Sequence, residues 1–299
     1  MKLLYRFGRK EYDLSARTHL MGILNVTPDS FSDGGRFFDP AAAVERAMTM
    51  VREGADIIDV GGESTRPRGH AYRGGAEVVP EEEELRRVIP VIEAIVRTSD
   101  IAVSIDTYKS AVARAALAAG ASIVNDISGF TFDAAMPSVV ASAGASAVVM
   151  HIQGTPKTMQ QNPSYSDLLG EVAGFLEEAV ERGHRAGVEQ IMVDPGIGFG
   201  KRLEHNLRLI GALGRFRELG CPVLVGPSRK SFIGTLLDLP VDQRLEGSLA
   251  ASAACILNGA HVLRVHDVRE SKRVAAVIDA IRRSMTDDQQ KGPPWSCLG

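Results

Sequence analysis

The sequence predicts an α/β fold, a single (β/α)8 TIM barrel with an N-terminal β-hairpin. Eight short apolar runs recur along the 299 residues, and stretches with helical spacing, rich in Ala, Leu, Glu and Arg, separate them. Continuous apolar runs are typical of strands buried on both faces, as in a parallel sheet. Eightfold alternation of strand and helix indicates a closed barrel, whose active site gathers at the C-terminal ends of the strands.

Each apolar run ends abruptly in a polar side chain. In chain order, the runs are LMGIL into Asn25, ADII into Asp59, IAVSI into Asp106, ASIV into Asn125, AVVM into His151, IMV into Asp194, VLVG into Ser228 and Lys230, and HVLRV into His266. The C-terminal ends of barrel strands lie on one face of the molecule. We therefore expect these polar endpoints to converge on one mouth.

The other elements follow from spacing and from helix-breaking residues. Helical spacing is clearest over 41–53, 81–97, 110–119 and 167–187. At the N-terminus, LLYRF, then Gly8 and Arg9, then a short run through Tyr12 and Leu14 predict a β-hairpin that plugs the N-terminal face. Near the C-terminus, DDQQKGPPWSCLG contains residues that cannot continue a helix. We expect one barrel domain over 1–285 and a flexible tail over 286–299.

Composition narrows the possible partners and the compartment. The formal net charge of -3 and the pI near 6.2 give no basic field for a nucleic acid. No apolar stretch approaches the roughly 20 residues that span a bilayer, and the N-terminus lacks a signal-peptide core. Cys221, Cys255 and Cys297 show no CxxC spacing, which favours reduced thiols, structural in the first two. We expect a cytoplasmic protein with neither a nucleic-acid nor a membrane partner.

Eight strings of the sequence, in order, resemble the dihydropteroate synthases of bacterial folate synthesis. The strings are MGILNVTPDSFSDGG, IIDVGGESTRP, SIDT, NDISG, MHIQGTPKTMQ, DPGIGFGK, PSRKSFIG and RVHDV, within residues 20–268. The resemblance implies a pterin-binding barrel over 1–285. It also implies a transferase that condenses 6-hydroxymethyl-7,8-dihydropterin diphosphate with 4-aminobenzoate, giving 7,8-dihydropteroate and diphosphate.

By resemblance, the pterin site consists of Asp106, Asn125, Asp194, Lys230 and Arg264. Asp194 would accept two hydrogen bonds from the ring N–H and the exocyclic amine, a pattern that suits a carboxylate. Asn125 would complete that edge, and Asp106 would face the ring nitrogens near the reacting carbon. Lys230 would meet the ring carbonyl, while the planar guanidinium of Arg264 would lie over the ring.

The diphosphate site implied by the resemblance consists of Asn25, Thr65, Arg264 and His266. Asn25 would give its amide oxygen to a Mg²⁺ that carries the diphosphate, because Mg²⁺ keeps waters and takes substrate phosphate oxygens. No His or Cys cluster has metal-ligand spacing, so the resemblance alone suggests the metal. The catalytic set implied is Asp106, Lys230, Arg264 and His266, with diphosphate leaving before the arylamine attacks.

The resemblance assigns the 4-aminobenzoate seat to Phe31, Thr65, Pro67, Phe199 and Ser231. The carboxylate would lie at Ser231, where a helix begins and its free N–H groups favour an anion. Two Gly-rich segments, NVTPDSFSDGGRF and GGESTRPRGHAYRGG, are expected to be mobile lids over the mouth. The second is longer than is usual in the family, over 68–75. Sulfonamides, which mimic 4-aminobenzoate, are expected to bind at the same seat.

Two alternatives remain open at this stage. A pterin-binding barrel of the corrinoid methyltransferase kind would share the fold, but it would not require NVTPDSFSDGG or the full STRP motif. A paralogue that binds a pterin without catalysis would keep the fold and lose catalytic residues. The partners expected are the two small-molecule substrates and a second copy of the chain, because the segment 248–257 is small and apolar.

Overall fold

A computed structural model describes residues 2–27, 39–63 and 79–291 of the chain. Within these ranges the strands are β1 (Leu4–Phe7), β2 (Lys10–Asp13), β3 (His19–Asn25), β4 (Ile57–Gly61), β5 (Ala102–Asp106), β6 (Ile123–Asp126), β7 (Ser146–Met150), β8 (Ile191–Asp194), β9 (Leu224–Val225) and β10 (Val262–Val265). The α-helices are α1 (Pro40–Glu53), α2 (Glu81–Thr98), α3 (Ser110–Ala118), α4 (Met136–Ser142), α5 (Leu168–Arg185), α6 (Leu203–Gly211), α7 (Ser231–Leu237), α8 (Leu245–Leu257) and α9 (Val268–Lys291). Two 3₁₀ segments, Leu213–Leu219 and Val241–Gln243, lie between the later helices.

Strands β3 to β10 form one parallel sheet that curves into a barrel. Their order is β8-β7-β6-β5-β4-β3-β10-β9, so strands that follow each other along the chain are neighbours nearly throughout. A parallel bridge between Val193 and Val223 joins the two ends, and the Val193 N–H donates to the Pro222 carbonyl at 2.9 Å. The predicted (β/α)8 barrel is confirmed.

The N-terminal hairpin closes the bottom of the barrel. Strands β1 and β2 pair antiparallel around Gly8, which adopts a left-handed φ of 60° that glycine tolerates. Phe7 and Leu14 are buried against a layer to which each barrel strand gives one apolar residue. That layer consists of Met21, Ile57, Ala102, Ile123, Val148, Met192, Leu224 and Val262. The hairpin therefore plugs the N-terminal face, as the sequence predicts.

Above this apolar layer the barrel interior becomes polar. Side chains alternate between the two faces of a strand, so the next interior layer lies two residues further along each strand. It consists of Ile23, Asp59, Ser104, Asn125, Met150, Asp194, Gly226 and Arg264. The layer at the mouth, two residues on again, includes Asn25, Asp106, Ser228 and His266. Every apolar run except AVVM, which ends in His151, thus gives a polar endpoint to one of two stacked layers at one end of the barrel.

The helices cover the outside of the sheet, and the largest apolar core lies between the two. Helix α1 illustrates how capping residues determine where a helix begins and ends. The Asp39 side chain accepts the Ala41 N–H at 2.8 Å, and Pro40 occupies the first turn. Gly54 ends the helix with a left-handed φ of 102°, which turns the chain into β4. Cys221 and Cys255 are buried and free, while Cys297 lies outside the described residues.

The last helix is longer than the sequence indicated. Helix α9 continues to Lys291, although we placed the end of the barrel domain at residue 285. Its last residues before Gly292 are all compatible with a helix, and the first helix-breaking residues are Gly292 and Pro293. Residues 292–299, the remainder of the predicted tail, lie outside the described residues. In the described part of the chain, no helix combines the length and the apolar character needed to cross a membrane.

Candidate active site

The mouth of the barrel opens into a cavity of about 220 Å³. Nine of the predicted site residues line it, namely Asn25, Asp106, Asn125, Asp194, Phe199, Lys230, Ser231, Arg264 and His266. Phe31, Thr65 and Pro67 lie outside the described residues, as does the extended segment 68–75. Side chains from six different strands or their following loops therefore meet where the fold places its active site.

An ion-pair network forms one side of the cavity floor. The Arg264 Nε donates to Asp59 Oδ2 at 2.6 Å, and its Nη2 donates to Asp106 Oδ2, also at 2.6 Å. The Asn125 Nδ2 donates to the same Asp59 oxygen at 3.0 Å. Burial raises the pKa of Asp106 to about 7, although the neighbouring Arg264 cation opposes the rise. Four strands, β4, β5, β6 and β10, are thereby connected through their interior side chains.

Asp194 presents a buried carboxylate on the opposite side of the floor. It ends β8, and its side chain is only 6% exposed. Its Oδ1 accepts the Gly196 N–H at 2.7 Å, a bond that the left-handed Gly196 allows. Burial raises the pKa of Asp194, and that N–H together with the Lys230 and Lys201 cations opposes the rise. The remaining acceptor capacity of this carboxylate is available to a ligand with N–H donors.

Lys230 lies between the acceptors and the loop after β8. Its Nζ is 4.1 Å from the centre of the Phe199 ring, within range of a cation–π contact. Burial and the Arg264 cation lower the pKa of Lys230 to about 8. The preceding residue, Arg229, has a left-handed φ of 56°, and Ser248 Oγ accepts its N–H at 2.9 Å. The loop between β9 and α7 is thus held in a conformation that aims Lys230 inward.

His266 and Ser228 form a hydrogen-bonded pair at the mouth. Ser228 Oγ lies 3.0 Å from His266 Nδ1 and accepts the His266 backbone N–H at 3.2 Å. When Ser228 donates its hydroxyl proton to Nδ1, the neutral imidazole carries its own proton on Nε2. Asn25 ends β3, which pairs with β10, the strand that carries Arg264. Its side chain is half-buried at the cavity wall.

His151 does not reach the cavity, which corrects the expectation that all eight endpoints converge. Met150, one residue earlier, takes the interior position, so the His151 side chain points outward between sheet and helix. Its ring lies 4.9 Å from that of Phe175, and Lys201 Nζ is 2.9 Å from Nδ1. Burial and the Lys201 charge lower the pKa of His151 to about 3, so this ring is neutral.

Several residues in or beside the cavity were missed by sequence reasoning. Asp59 was recognised as an endpoint, but its contact with Arg264 on a distant strand leaves no local signal. Met150 could have been found by counting two residues on from Val148 in the apolar layer. Met159 and Glu63 lie in loops and carry no periodic signal. Met150 and Met159 give the cavity one apolar side, together with Ile127.

The chemistry of the cavity is divided between acceptors and donors. Asp106, Asn125 and Asp194 supply oxygens to the cavity, whereas Lys230 and Arg264 supply cations beside them. Such a site suits a flat heterocycle with an N–H edge that carries an anionic substituent. Among the described residues, no cluster of three or more His, Cys, Asp or Glu side chains could hold a metal ion. A metal here would depend on amide and ligand oxygens.

Comparison with known proteins places the chain among the pterin-binding enzymes. A family model described as pterin binding enzyme matches residues 21–266. The dihydropteroate synthase of Synechocystis sp. is 48% identical over 279 residues, which cover 92% of this chain and 94% of the relative. The chain belongs to the dihydropteroate synthase family.

Solved structures of that family share the whole fold. The Yersinia pestis dihydropteroate synthase in complex with a sulfonamide drug superposes with a TM-score of 0.87 at 41% identity, covering 94% of this chain and 100% of that one. The Xanthomonas albilineans dihydropteroate synthase with 4-aminobenzoic acid gives a TM-score of 0.86 at 41% identity, covering 94% and 99%. The barrel fold of this chain is therefore shared with solved dihydropteroate synthases.

Proposed function

We propose that the cavity is the active site of a dihydropteroate synthase, which transfers a dihydropterin-methyl group from its diphosphate to the amine of 4-aminobenzoate. The observation that carries the proposal is the convergence of nine predicted residues on one cavity in a chain of this family. The sulfonamide and 4-aminobenzoic acid complexes of relatives support the same pair of substrates.

The pterin binds with its N–H edge toward the buried oxygens. Asp194 accepts from the ring N–H and the exocyclic amine, since its carboxylate keeps acceptor capacity beyond the Gly196 bond. The Asn125 carbonyl oxygen adds an acceptor, because its Nδ2 is turned toward Asp59. Lys230 donates to the ring carbonyl, which is next to that ring N–H in the heterocycle. Asp106 lies beside the ring nitrogens near the reacting carbon.

Arg264, His266 and Thr65 bind the diphosphate at the mouth, in the assignment that the family resemblance gives. Asn25 fits a Mg²⁺ that accompanies the diphosphate, because it offers an amide oxygen at the cavity wall and Mg²⁺ takes its other ligands from water and phosphate. When bound, Mg²⁺ would neutralise negative charge on the leaving group. The protein's own contribution is the guanidinium and imidazole donors, which stabilise the diphosphate as it leaves.

The reaction replaces one bond with another at the methylene carbon of the pterin. The C–O bond to diphosphate breaks first, since an arylamine is a weak nucleophile and the electron-rich pterin can carry positive charge. The Asp106 carboxylate favours that cationic pterin electrostatically. The amine nitrogen then forms the new C–N bond, and the acidic arylammonium gives its proton to water, so no strongly basic side chain is needed.

The 4-aminobenzoate seat is placed at Phe199 and Ser231, completed by Phe31, Thr65 and Pro67. Phe199 offers an aromatic surface beside Lys230, and Ser231 begins α7 and lines the cavity. A carboxylate at this position would also gain from the Lys230 cation. Sulfonamides would occupy the same seat in place of 4-aminobenzoate.

Turnover by the purified protein tests the proposal. Dihydropterin methyl diphosphate, 4-aminobenzoate and Mg²⁺ are mixed with the protein, and diphosphate and dihydropteroate are measured together. We expect the two products in a one-to-one ratio. Diphosphate release without dihydropteroate would indicate simple hydrolysis, and no release of either would refute the proposed function.

A homodimer in the cytoplasm is the proposed assembly and location. Four large apolar side chains of α8 and α9 are exposed, namely Leu257, Val277, Ile281 and Met285. The predicted interface segment itself turns partly inward, because Ser248, Ser252, Cys255 and Ile256 are buried. Light scattering at micromolar concentration should give twice the chain mass, and a monomer mass would contradict the dimer.

A further inference from the structure

Asp59 is a buried carboxylate that touches two cavity residues without lining the cavity itself. Its side chain is 0% exposed, and one oxygen, Oδ2, accepts both the Arg264 Nε and the Asn125 Nδ2. The other oxygen, Oδ1, has no hydrogen-bond partner among the described residues. A buried carboxylate oxygen without a partner costs free energy, so stability alone is a poor reason for this residue.

The contact with Arg264 decides which of its donors remain for a ligand. Arginine has five N–H groups, and the Nε group and one on Nη2 are engaged with Asp59 and Asp106. In the part of the chain that the structure describes, the other three remain for the diphosphate. An ion pair at 2.6 Å to a rigid strand also fixes the plane of the guanidinium.

The contact with Asn125 decides which way its amide faces. A carboxylate can only accept, so the amide must turn its NH₂ group toward Asp59 and its carbonyl oxygen away. The Asn125 carbonyl oxygen therefore faces the cavity as a hydrogen-bond acceptor. An acceptor at this position complements the N–H edge of a pterin and does not complement a ring edge that consists only of acceptors.

We infer that Asp59 is a positioning residue for the proposed reaction: it fixes the Arg264 guanidinium for the diphosphate and orients the Asn125 amide for the pterin. The inference rests on the proposed function, and it assigns Asp59 no contact with substrate. The two tasks depend on different properties of the side chain. Orienting Asn125 requires an acceptor oxygen, whereas holding Arg264 requires the negative charge as well.

Two substitutions separate these tasks. Asp59→Asn keeps an acceptor oxygen but removes the charge, and Asp59→Ala removes both. We expect Asp59→Ala to weaken pterin binding at least tenfold and to lower kcat at least tenfold. Asp59→Asn should bind a pterin within threefold of the wild type, yet lose at least tenfold in kcat. The matched control is Ser104→Ala. Ser104 is buried and lies opposite Asp59 in the register of β4 and β5, and its hydroxyl has no hydrogen-bond partner among the described residues. This variant should change neither quantity more than twofold.

The outcomes are read from titration calorimetry with a pterin that lacks diphosphate, from steady-state kinetics and from thermal melting. A folded Asp59→Ala variant with both quantities within threefold of the wild type would overturn the inference. So would an Asp59→Asn variant that loses pterin affinity as strongly as the Ala variant, or one that fails to fold while Ser104→Ala folds normally. The calorimetric arm needs no turnover, so it remains decisive if the wild-type protein shows no synthase activity.

Discussion

At the scale of single residues, Asp194 illustrates how one buried side chain determines what the cavity recognises. One of its oxygens is committed to the Gly196 N–H at 2.7 Å, so the other faces ligands as an acceptor. An asparagine at this position would keep the Gly196 bond through its carbonyl oxygen. Its NH₂ group would then face the N–H edge of the pterin, where two donors meet.

Asp194→Asn should therefore weaken pterin binding while the protein stays folded. A mismatched buried donor costs about 1–3 kcal/mol, which corresponds to roughly a fivefold to hundredfold loss of affinity. Calorimetric titration with a pterin measures the loss, and the melting temperature serves as the control for folding. Binding within twofold of the wild type would remove Asp194 from the pterin site.

The buried acid and base of the cavity set the expected pH dependence. Asp106, with a pKa raised to about 7, becomes a carboxylate as the pH rises, whereas Lys230, with a pKa lowered to about 8, loses its charge. If both charged forms are required, kcat/KM should be highest between these values and fall on either side. It falls at lower pH because Asp106 gains a proton, and at higher pH because Lys230 loses one.

Lys230→Arg is the variant that checks this assignment. Arginine stays protonated across the accessible range, so the decline of kcat/KM on the alkaline side should disappear even if the activity is lower. A wild-type profile that is flat from about pH 6 to 9 would contradict the roles of both residues.

At the scale of elements, Lys109 ties three segments together at the start of α3. Its Nζ donates to Glu63 Oε2 at 2.6 Å after β4, to the Val79 carbonyl at 2.8 Å, and to Glu84 of α2 at 2.5 Å. Glu84 is only 1% exposed, and its burial raises the pKa of the carboxyl despite the Lys109 cation. The cation therefore compensates the buried charge of Glu84 and also binds Glu63, which lines the cavity.

Lys109→Met should destabilise the protein strongly. Removing one partner of a buried ion pair costs about 3–5 kcal/mol in the free energy of unfolding, because a charge is left without compensation. Urea unfolding measures the change, and the loss should shrink at low pH as Glu84 takes up a proton. The control is Arg86→Met on α2, an exposed arginine that pairs with the half-buried Glu83 and whose removal should change stability by about 0.5 kcal/mol or less. A loss as small as that of the control would show that Glu84 is not charged.

At the scale of the whole molecule, most of the fold and of the site could be predicted from two features of the sequence. These are the recurrence of apolar runs and the alternation of interior and exterior side chains along each strand. Asn25, Asp106 and Asp194 could be found because each ends an apolar run and has the interior register of its strand. His151 also ends an apolar run, but it lies one residue beyond Met150, which occupies the interior position of β7. The alternation of side chains is therefore a stronger guide than the end of a run.

Contacts between distant strands were beyond sequence reasoning. The role of Asp59 depends on Arg264, which is 205 residues away in the chain, and on a register that only the closed barrel creates. Met159 reaches the cavity from a loop whose path no periodicity describes. The functional roles themselves came from the family resemblance, because charge and spacing alone do not distinguish Asp106 from Asp194.

A crystal structure of the protein with a bound pterin would test the central claim most directly, namely that the cavity at the mouth of the barrel is the pterin site. The account predicts that the N–H edge of the ring lies within hydrogen-bond distance of Asp194 and the Asn125 carbonyl oxygen, with the ring carbonyl beside Lys230. The Asp59 side chain should remain on Arg264 and Asn125 without touching the ring. A pterin bound outside the barrel mouth, or one whose N–H edge points away from Asp194, would contradict the account.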